Sequence, residues 1–326
     1  AALGNLEIRG QLLFADNQDS ITLTAKQIWV RGSMTAGTMD TPYANQAIIR
    51  LTGAVTDTPF VVNFAVNVGP RALVVTGFLS FVGQPVNGVA RLGANGNIGD
   101  NQILISGDIS PFKIGDKIAI APSGSNANEY EAKIITNINY DTMIVTLDSG
   151  LQYFHYGSDS FYMGSDGMTM VDMRAEVVPM SRNVRIEGLN DGLGAVIWAT
   201  QEYNSDTTVT GRIDIENALI SNCGQTGTDR AAITFELAVS DQGSVLSGNV
   251  IYNSLSYGIR FTKSTSVNAM NNVIFKAQHI GILFEDNNQL IMVINNLIFG
   301  ITPNARGSAV ELSDFSAGVY LIDGSN

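Results

Sequence analysis

The sequence predicts an all-β protein, a right-handed parallel β-helix (a solenoid) with a small antiparallel β-barrel inserted into it. Three observations predict this. Asn249-Val-Ile-Tyr recurs as Asn272-Val-Ile-Phe and again as Asn296-Leu-Ile-Phe, at steps of 23 and 24 residues. Gly258-Ile-Arg-Phe recurs as Gly281-Ile-Leu-Phe, again 23 residues on. Two motifs with one period read as two strands of a coil, each stacked on its equivalent in the next coil. The apolar runs themselves (NVIY, GIRF, VNAM, GILF, LIMVI) are rich in β-branched and aromatic residues, too short for helices, and punctuated by Asn, Gly and Ser.

Taken in order, residues 1–90 carry a repeat of their own. Leu6-Glu-Ile-Arg-Gly10 is echoed by Ile28-Trp-Val-Arg-Gly32 and by Leu73-Val-Val-Thr-Gly77. The glycine steps are 22 and 45 residues, one coil and then two, and alternation that ends in Gly before a further apolar pair reads as strand, bend, strand. Residues 91–152 break that rhythm. Asn101–Gly107, Lys117–Ala121, Glu129–Asn137 and Thr142–Leu147 read as hairpin-length strands joined by turns such as Gly115-Asp116, the pattern of a small barrel. Residues 153–326 return to the solenoid. Arg182-Asn-Val-Arg-Ile-Glu-Gly188 repeats the strand-then-Gly form, and Ala232-Ile-Thr-Phe takes the Gly258-Ile-Arg-Phe position one coil early. The recurrent Asn217, Asn249, Asn272 and Asn296 are expected to form a ladder at a tight turn, because Asn tolerates the left-handed conformation and its amide bonds its stacked neighbour. The polar loop Asn222–Arg230 is expected to project from its coil.

A solenoid grows by adding coils, so 326 residues need not be divided among several cores. The net charge is −12 and the pI about 4.5, which disfavours nucleic acid and anionic membranes as partners. The single cysteine, Cys223, excludes an intrachain disulfide framework. No apolar run approaches the roughly 18 residues that a membrane span needs. Ala1 is not a natural start, so the chain reads as a segment of a longer one, and no Asn-x-Ser/Thr sequon occurs in it.

The order of parts carries a resemblance over essentially the whole chain. The strand-Gly repeats (LEIRGQLLF, ITLTAKQIWVRGSM, AIIRLTG), the inserted segment (FKIGDKIAIA … TMIVTLDSGLQYFHYG), the RAEV and SRNVRIEG motifs and the following β-helix resemble the eight-glycine-domain family of extracellular β-helix proteins. That family has fibrocystin-like and cell-surface hyaluronidase branches. The first implies a large receptor-like or structural ectodomain of cilia and cell surfaces; the second implies depolymerisation of hyaluronan. The hyaluronidase branch carries a His-rich strand that here reads Ala231-Ala-Ile-Thr-Phe-Glu236, without a histidine. This departure points away from catalysis.

Candidate sites follow from stacking, since equivalent positions of neighbouring coils form columns. Glu236, Lys263, Glu285 and, one coil on, Glu311 are expected to share a column, with Asp286 beside Glu285. Carboxylates one or two strand spacings apart fit the separations of a glycosidase pair, and serve equally as a solvated stripe. Arg174, Arg182 and Arg185 match the family's RAEV and RNV motifs and are candidates for binding a sugar carboxylate through a guanidinium fork; the alternative is an Arg–Glu pair that fastens the barrel. His155 and His279 fall in different modules and do not make a zinc site. No cofactor is expected beyond weak Ca²⁺ at the turns around Asp166 or Asn190-Asp-Gly192. The aromatics Phe235, Phe261, Phe275, Phe284 and Phe299 are expected to face inward. The sequence therefore reads as a non-catalytic structural or adhesive ectodomain segment. Its expected partners are further domains of its own chain or other copies, by end-stacking or lateral packing. A hyaluronidase-like depolymerase and a glycan-binding module are the alternatives.

Overall fold

The computed structural model describes residues 3–63, 65–86, 89–158, 161–163, 165, 170–204, 206–303 and 316–322. All regular structure among them is β; no helix is long and apolar enough to cross a membrane. The chain forms two compact units, one of residues 1–85 with 182–326 and one of residues 86–181.

The first unit is a parallel β-helix with three faces. Its first face runs from the start of the long strand Ser20–Val30 through Gln46–Leu51, Val184–Gly188, Ala218–Ser221, Val250–Ser254, Val273–Ala277 and Leu297–Phe299. The second runs from Leu3–Ile8 and the end of Ser20–Val30 through Ala72–Val75, Val196–Ala199, Ile233–Glu236, Ile259–Thr262 and Ile280–Glu285 to Ala317–Ile322. The third stacks Gln11–Leu13, Ser33–Ala36, Phe78–Val82, Arg212–Glu216, Val239–Ser247, Thr265–Met270 and Gln289–Ile294. Because side chains alternate along a strand, every second residue points inward and stacks on its equivalent above and below. One such column on the second face is Ile28, Leu73, Ile197, Ile233, Ile259 and Ile282, all fully buried. Each contributes about 1.5–3 kcal/mol by leaving water.

Gly10, Gly32 and Gly77 stand at the bend between the second and third faces, where consecutive coils approach most closely. Gly10 O accepts from Ser33 N at 2.9 Å, and Gly32 O accepts from Phe78 N at 2.8 Å. A Cβ on Gly32 would lie 2.0 Å from Gly10 O, and one on Gly77 would lie 2.1 Å from Gly32 O. Glycine at positions 32 and 77 is therefore a steric requirement of coil stacking.

The second unit is a closed antiparallel barrel in the order Ala90–Leu92, Gln102–Ser106, Ile144–Leu147, Glu131–Asn139, Lys117–Ile120 and Glu176–Pro179. Glu176–Pro179 pairs with both Ala90–Leu92 and Lys117–Ile120 and so closes the ring. The barrel thus reaches well past residue 152, where the sequence rhythm places its end. Ala175 and Val177 face the barrel core, and so short a strand gives too little alternation to assign to one module. The loop 222–230 also differs from expectation. Gln225 Nε2 donates to Arg71 O at 3.3 Å and Arg230 Nε to Asn67 O at 3.0 Å, which ties the loop to the solenoid.

Candidate functional site

The outer side of the second face carries the charged stripe. Ile233 and Phe235 point inward, so Thr234 and Glu236 point outward; the same alternation turns Arg260 and Thr262, then Leu283 and Glu285, to the outer side, where Thr234, Thr262 and Leu283 are nevertheless buried. Arg260 Nε lies 2.5 Å from Glu285 Oε2, and Arg260 Nη2 lies 3.8 Å from Asp229 Oδ2. Burial opposes the charge on Arg260, but Glu285 and Asp229 outweigh it and hold the guanidinium protonated. Burial raises the Glu236 carboxyl above its usual range; the charge of Arg260 opposes the rise, and Asp229 adds to it.

The register rearranges the expected column. Glu236 stacks on Thr262, and Thr262 on Glu285, so the two glutamates are separated by two strand spacings, about 10 Å along the face. Lys263 stands one residue on, at the left-handed corner shared by Leu237, Lys263 and Asp286, with φ of 55°, 49° and 54°. There it faces Asp286 across 3.4 Å, with both side chains half exposed. Thr262 Oγ1 also donates to Asp286 Oδ2 at 3.2 Å. Glu311 lies outside the described residues, and the residue one coil beyond Glu285 is Ile322. The chemistry left to the stripe is an acid biased toward protonation at Glu236 and a carboxylate clamped by Arg260 at Glu285.

The arginines of the RAEV and RNV motifs serve separate units. Arg174 grips Asp172 with a fork, Nε to Oδ1 at 2.9 Å and Nη2 to Oδ2 at 2.8 Å, and lowers that carboxyl to about 2. Glu176 pairs with Arg91 at 2.9 Å, not with Arg174. Arg182 Nη2 donates to Gly248 O at 3.3 Å, and Arg185 sits on the first face between Ile48 and Leu219. At the turn proposed for Ca²⁺, both Asp191 oxygens are taken by Arg71, at 2.8 and 2.6 Å, and the carboxyl is lowered to about 2. Asp166 lies outside the described residues. Burial pushes the Cys223 thiol up to about 12, which suits an inert core residue.

The asparagines split into two columns. Asn249, Asn272 and Asn296 are inner: the Nδ2 of each donates to the Oδ1 of the next at 3.0 Å, and each backbone N does the same at 3.1 and 2.9 Å. Asn217 is one residue earlier in register. It shares the left-handed corner with Gly248, Asn271 and Asn295, at φ of 50°, 64°, 55° and 53°. Its inner neighbour is Ala218, whose N donates to Asn249 Oδ1 at 3.0 Å. A second inner ladder, not apparent as a repeat, follows the Leu237–Lys263–Asp286 corner: Ala238 N donates to Ser264 Oγ and Ser264 N to Asn288 Oδ1, each at 3.1 Å. Phe235, Phe261 and Phe284 stack in the core, with centroids 5.4 and 5.1 Å apart. Phe275 and Phe299 do not join them. With Tyr252 they form a column on the outer side of the first face, at 5.4 and 4.7 Å, because Ile251, Ile274 and Ile298 take the inward positions.

Comparison with known proteins agrees with the solenoid. Residues 1–93 match the G8 domain, and residues 181–326 match the right handed beta helix region. The chain resembles the fibrocystins. It is 24% identical over 305 residues to fibrocystin of Canis lupus familiaris, which covers 93% of this chain and 7% of that protein. It is 31% identical over 188 residues to fibrocystin-L of Mus musculus, which covers 56% of this chain and 4% of that one. This chain thus spans a small fraction of these curated relatives. Among solved structures, the tailspike gp61 of Pseudomonas phage phi297 aligns with 83% of this chain and 42% of that one. The identity is 10% and the TM-score 0.27, a likeness too slight to build on.

Proposed function

We propose that this chain is a non-catalytic structural or adhesive segment of a fibrocystin-like extracellular or cell-surface protein, the ciliary surface included. In this reading it is a stiff β-helical spacer that holds loops and a small barrel for partners, either further domains of its own chain or other copies. The observation that carries the reading is the use of the polar groups. The buried asparagines are bound coil to coil, Asp191 is held by Arg71, and Glu285 is clamped by Arg260. The strongest charges therefore serve the scaffold.

One observation favours a second reading, that of a carbohydrate-active surface: the raised Glu236 carboxyl shares an outer face with Glu285, at about 10 Å, a little beyond the roughly 6.5–9.5 Å of an inverting pair. Incubation with hyaluronan and a panel of acidic and neutral polysaccharides, with and without Ca²⁺, separates the two. The structural reading expects polymer length to stay unchanged under every condition. Shortened chains that disappear with Glu236→Gln or Glu285→Gln would replace it with the enzymatic one.

A further inference from the structure

Inside the barrel, buried polar groups fix one short surface segment, apart from all the candidates above. Glu131 and Lys133 point inward from Glu131–Asn139, and both are at least nine-tenths buried. The Glu131 carboxylate accepts from Gln152 N at 2.8 Å and Tyr153 N at 2.9 Å, and Lys133 Nζ donates to Gly150 O at 2.7 Å. Leu151 N donates to Asp100 O at 2.9 Å, and His155 exchanges two backbone hydrogen bonds of 2.8 Å with Gly96. Tyr156 N donates to Ser123 Oγ at 2.8 Å and Gly157 N to Asn95 Oδ1 at 2.9 Å. The chain from Gly150 to Gly157 is thus held at almost every residue.

Within this fastened segment Phe154 faces solvent, 46% exposed between half-buried Tyr153 and buried His155. Ile98 stands on the neighbouring stretch, two residues past Gly96, and is 71% exposed. It takes the second position of the turn Asn97–Asp100, closed by Asp100 N to Asn97 O at 3.0 Å with Gly99 at a φ of 92°. Gly99 N in turn donates to Leu151 O at 2.8 Å. Turn chemistry does not ask for isoleucine there. Three carboxylates surround the pair, each bound by neutral groups. Asp100 Oδ2 accepts from Asn97 N at 2.8 Å, Glu129 Oε1 from Asn126 Nδ2 at 3.3 Å and Asp148 Oδ1 from Ile134 N at 3.0 Å. Among the described residues none of the three pairs with a lysine or arginine. Residues 94–101, 121–134 and 148–158 hold two basic side chains, Lys133 and His155, and both are buried.

We propose that this rim of the barrel is a docking surface for a basic segment of a partner protein, resting on the reading of the chain as a scaffold that holds its barrel for partners. Phe154 and Ile98 are the apolar anchors, and Asp100, Glu129 and Asp148 accept from the lysine and arginine heads of the segment. The exposed apolar pair calls for an occupant, and the carboxylates without a cation select a positively charged one. Arginine meets both demands, because its guanidinium stacks on an aromatic face and forks onto a carboxylate. The bonds to Glu131 set the segment before any partner arrives, which lowers the ordering cost of binding. A net charge of −12 opposes a second copy of this chain at such a face.

Titration calorimetry of the whole chain with nona-arginine, and with nona-glutamate as the control, tests this. Nona-arginine is expected to bind, more weakly as salt is added, and nona-glutamate is not. Phe154→Ala keeps the charge of the chain and is expected to weaken nona-arginine binding by about fivefold or more. Phe154→Trp, which offers a larger aromatic face, is expected to bind at least as tightly as the parent. Tyr140→Ala removes an equally exposed aromatic from the turn before Ile144–Leu147 and is expected to leave the affinity within about twofold. Phe154 and Tyr140 are exposed, so these variants keep the core, and their circular dichroism checks that they fold. The same affinity in Phe154→Ala as in the parent would reduce the effect to general attraction by an acidic chain and overturn the proposal. Failure of nona-arginine to bind at low salt would overturn it as well. Neither result bears on the non-catalytic reading, which is decided separately by polymer length.

Discussion

Asn249 is bound twice to Asn272: its backbone N and its Nδ2 both donate to Asn272 Oδ1, at 3.1 and 3.0 Å. Asn272 binds Asn296 in the same way, and its Nδ2 also donates to Leu246 O at 2.9 Å. Asn272→Ala strands two donors of Asn249 and the Leu246 carbonyl in a dry interior, where each lost partner costs about 1–3 kcal/mol. A loss of roughly 2–4 kcal/mol is expected in urea unfolding followed by circular dichroism. Asn295→Gly, at the exposed left-handed corner, is expected to stay within about 1 kcal/mol, because glycine takes that conformation freely.

Gly32 and Gly10 make a second contrast. The first leaves 2.0 Å between a new Cβ and Gly10 O, whereas a Cβ on Gly10 meets nothing within 4 Å. Gly32→Ala is therefore expected to force two coils apart and cost at least about 2 kcal/mol, and Gly10→Ala to change stability by less than about 0.5 kcal/mol. The midpoints of thermal unfolding of the two variants check this. Equal midpoints would mean that the close coil approach at Gly32 is not kept in solution.

The coil period was legible because stacking repeats a constraint every turn: Gly32 and Gly77 recur for one steric reason, and Asn249, Asn272 and Asn296 for one hydrogen-bonding reason. The residues that escaped are those whose role depends on a one-residue offset. Asn217 looks like a ladder asparagine yet sits at the left-handed corner. Phe275 follows an Ile and a Val as Phe261 follows an Arg and an Ile, yet it points outward because Ile274 points in. Ser264 and Asn288 form a ladder from different residue types, so no motif marks them. The charged stripe was half legible. Its strands were found from the period, but Arg260, which decides what Glu285 can do, looked like one polar residue among many. The Arg71–Asp191 fork joins positions 120 residues apart, a separation that no local pattern reports.

Arg71 is almost fully buried and binds Gly53 O at 2.7 Å as well as both oxygens of Asp191. Arg71→Met leaves those acceptors without their donor, and a loss of about 3 kcal/mol is expected at pH 7. The fork also sets a pH dependence. The Asp191 carboxyl is lowered from 3.8 to about 2 in the fold, so its stabilisation is present above about pH 4 and is lost as pH falls through 2. Asp191 is 46% exposed, so solvent screening leaves roughly 1 kcal/mol of that effect. Unfolding midpoints of the parent and Asp191→Asn at pH 7 and pH 2 are expected to converge at the lower pH. A gap that persists there would assign the effect to packing.

Glu236 and Glu285 lie on one outer face and are expected to respond in opposite directions to the same change. Burial raises the Glu236 carboxyl, so its charged form is disfavoured by the fold; the cost appears as pH rises above the unfolded value near 4.5 and is complete above the folded one. Glu236→Gln removes that cost and is expected to stabilise the protein at pH 7, by up to about 1 kcal/mol, with no gain at pH 3. Glu285→Gln removes the charge that faces Arg260, a guanidinium whose side chain is 12% exposed, and is expected to destabilise by about 1–3 kcal/mol at pH 7. Chemical unfolding of both variants at pH 7 and pH 3 checks the pair. Destabilisation by Glu236→Gln at pH 7 would mean that Glu236 works as a charged partner of Arg260, which would make the stripe a three-membered ion network in place of one clamped pair beside an acid.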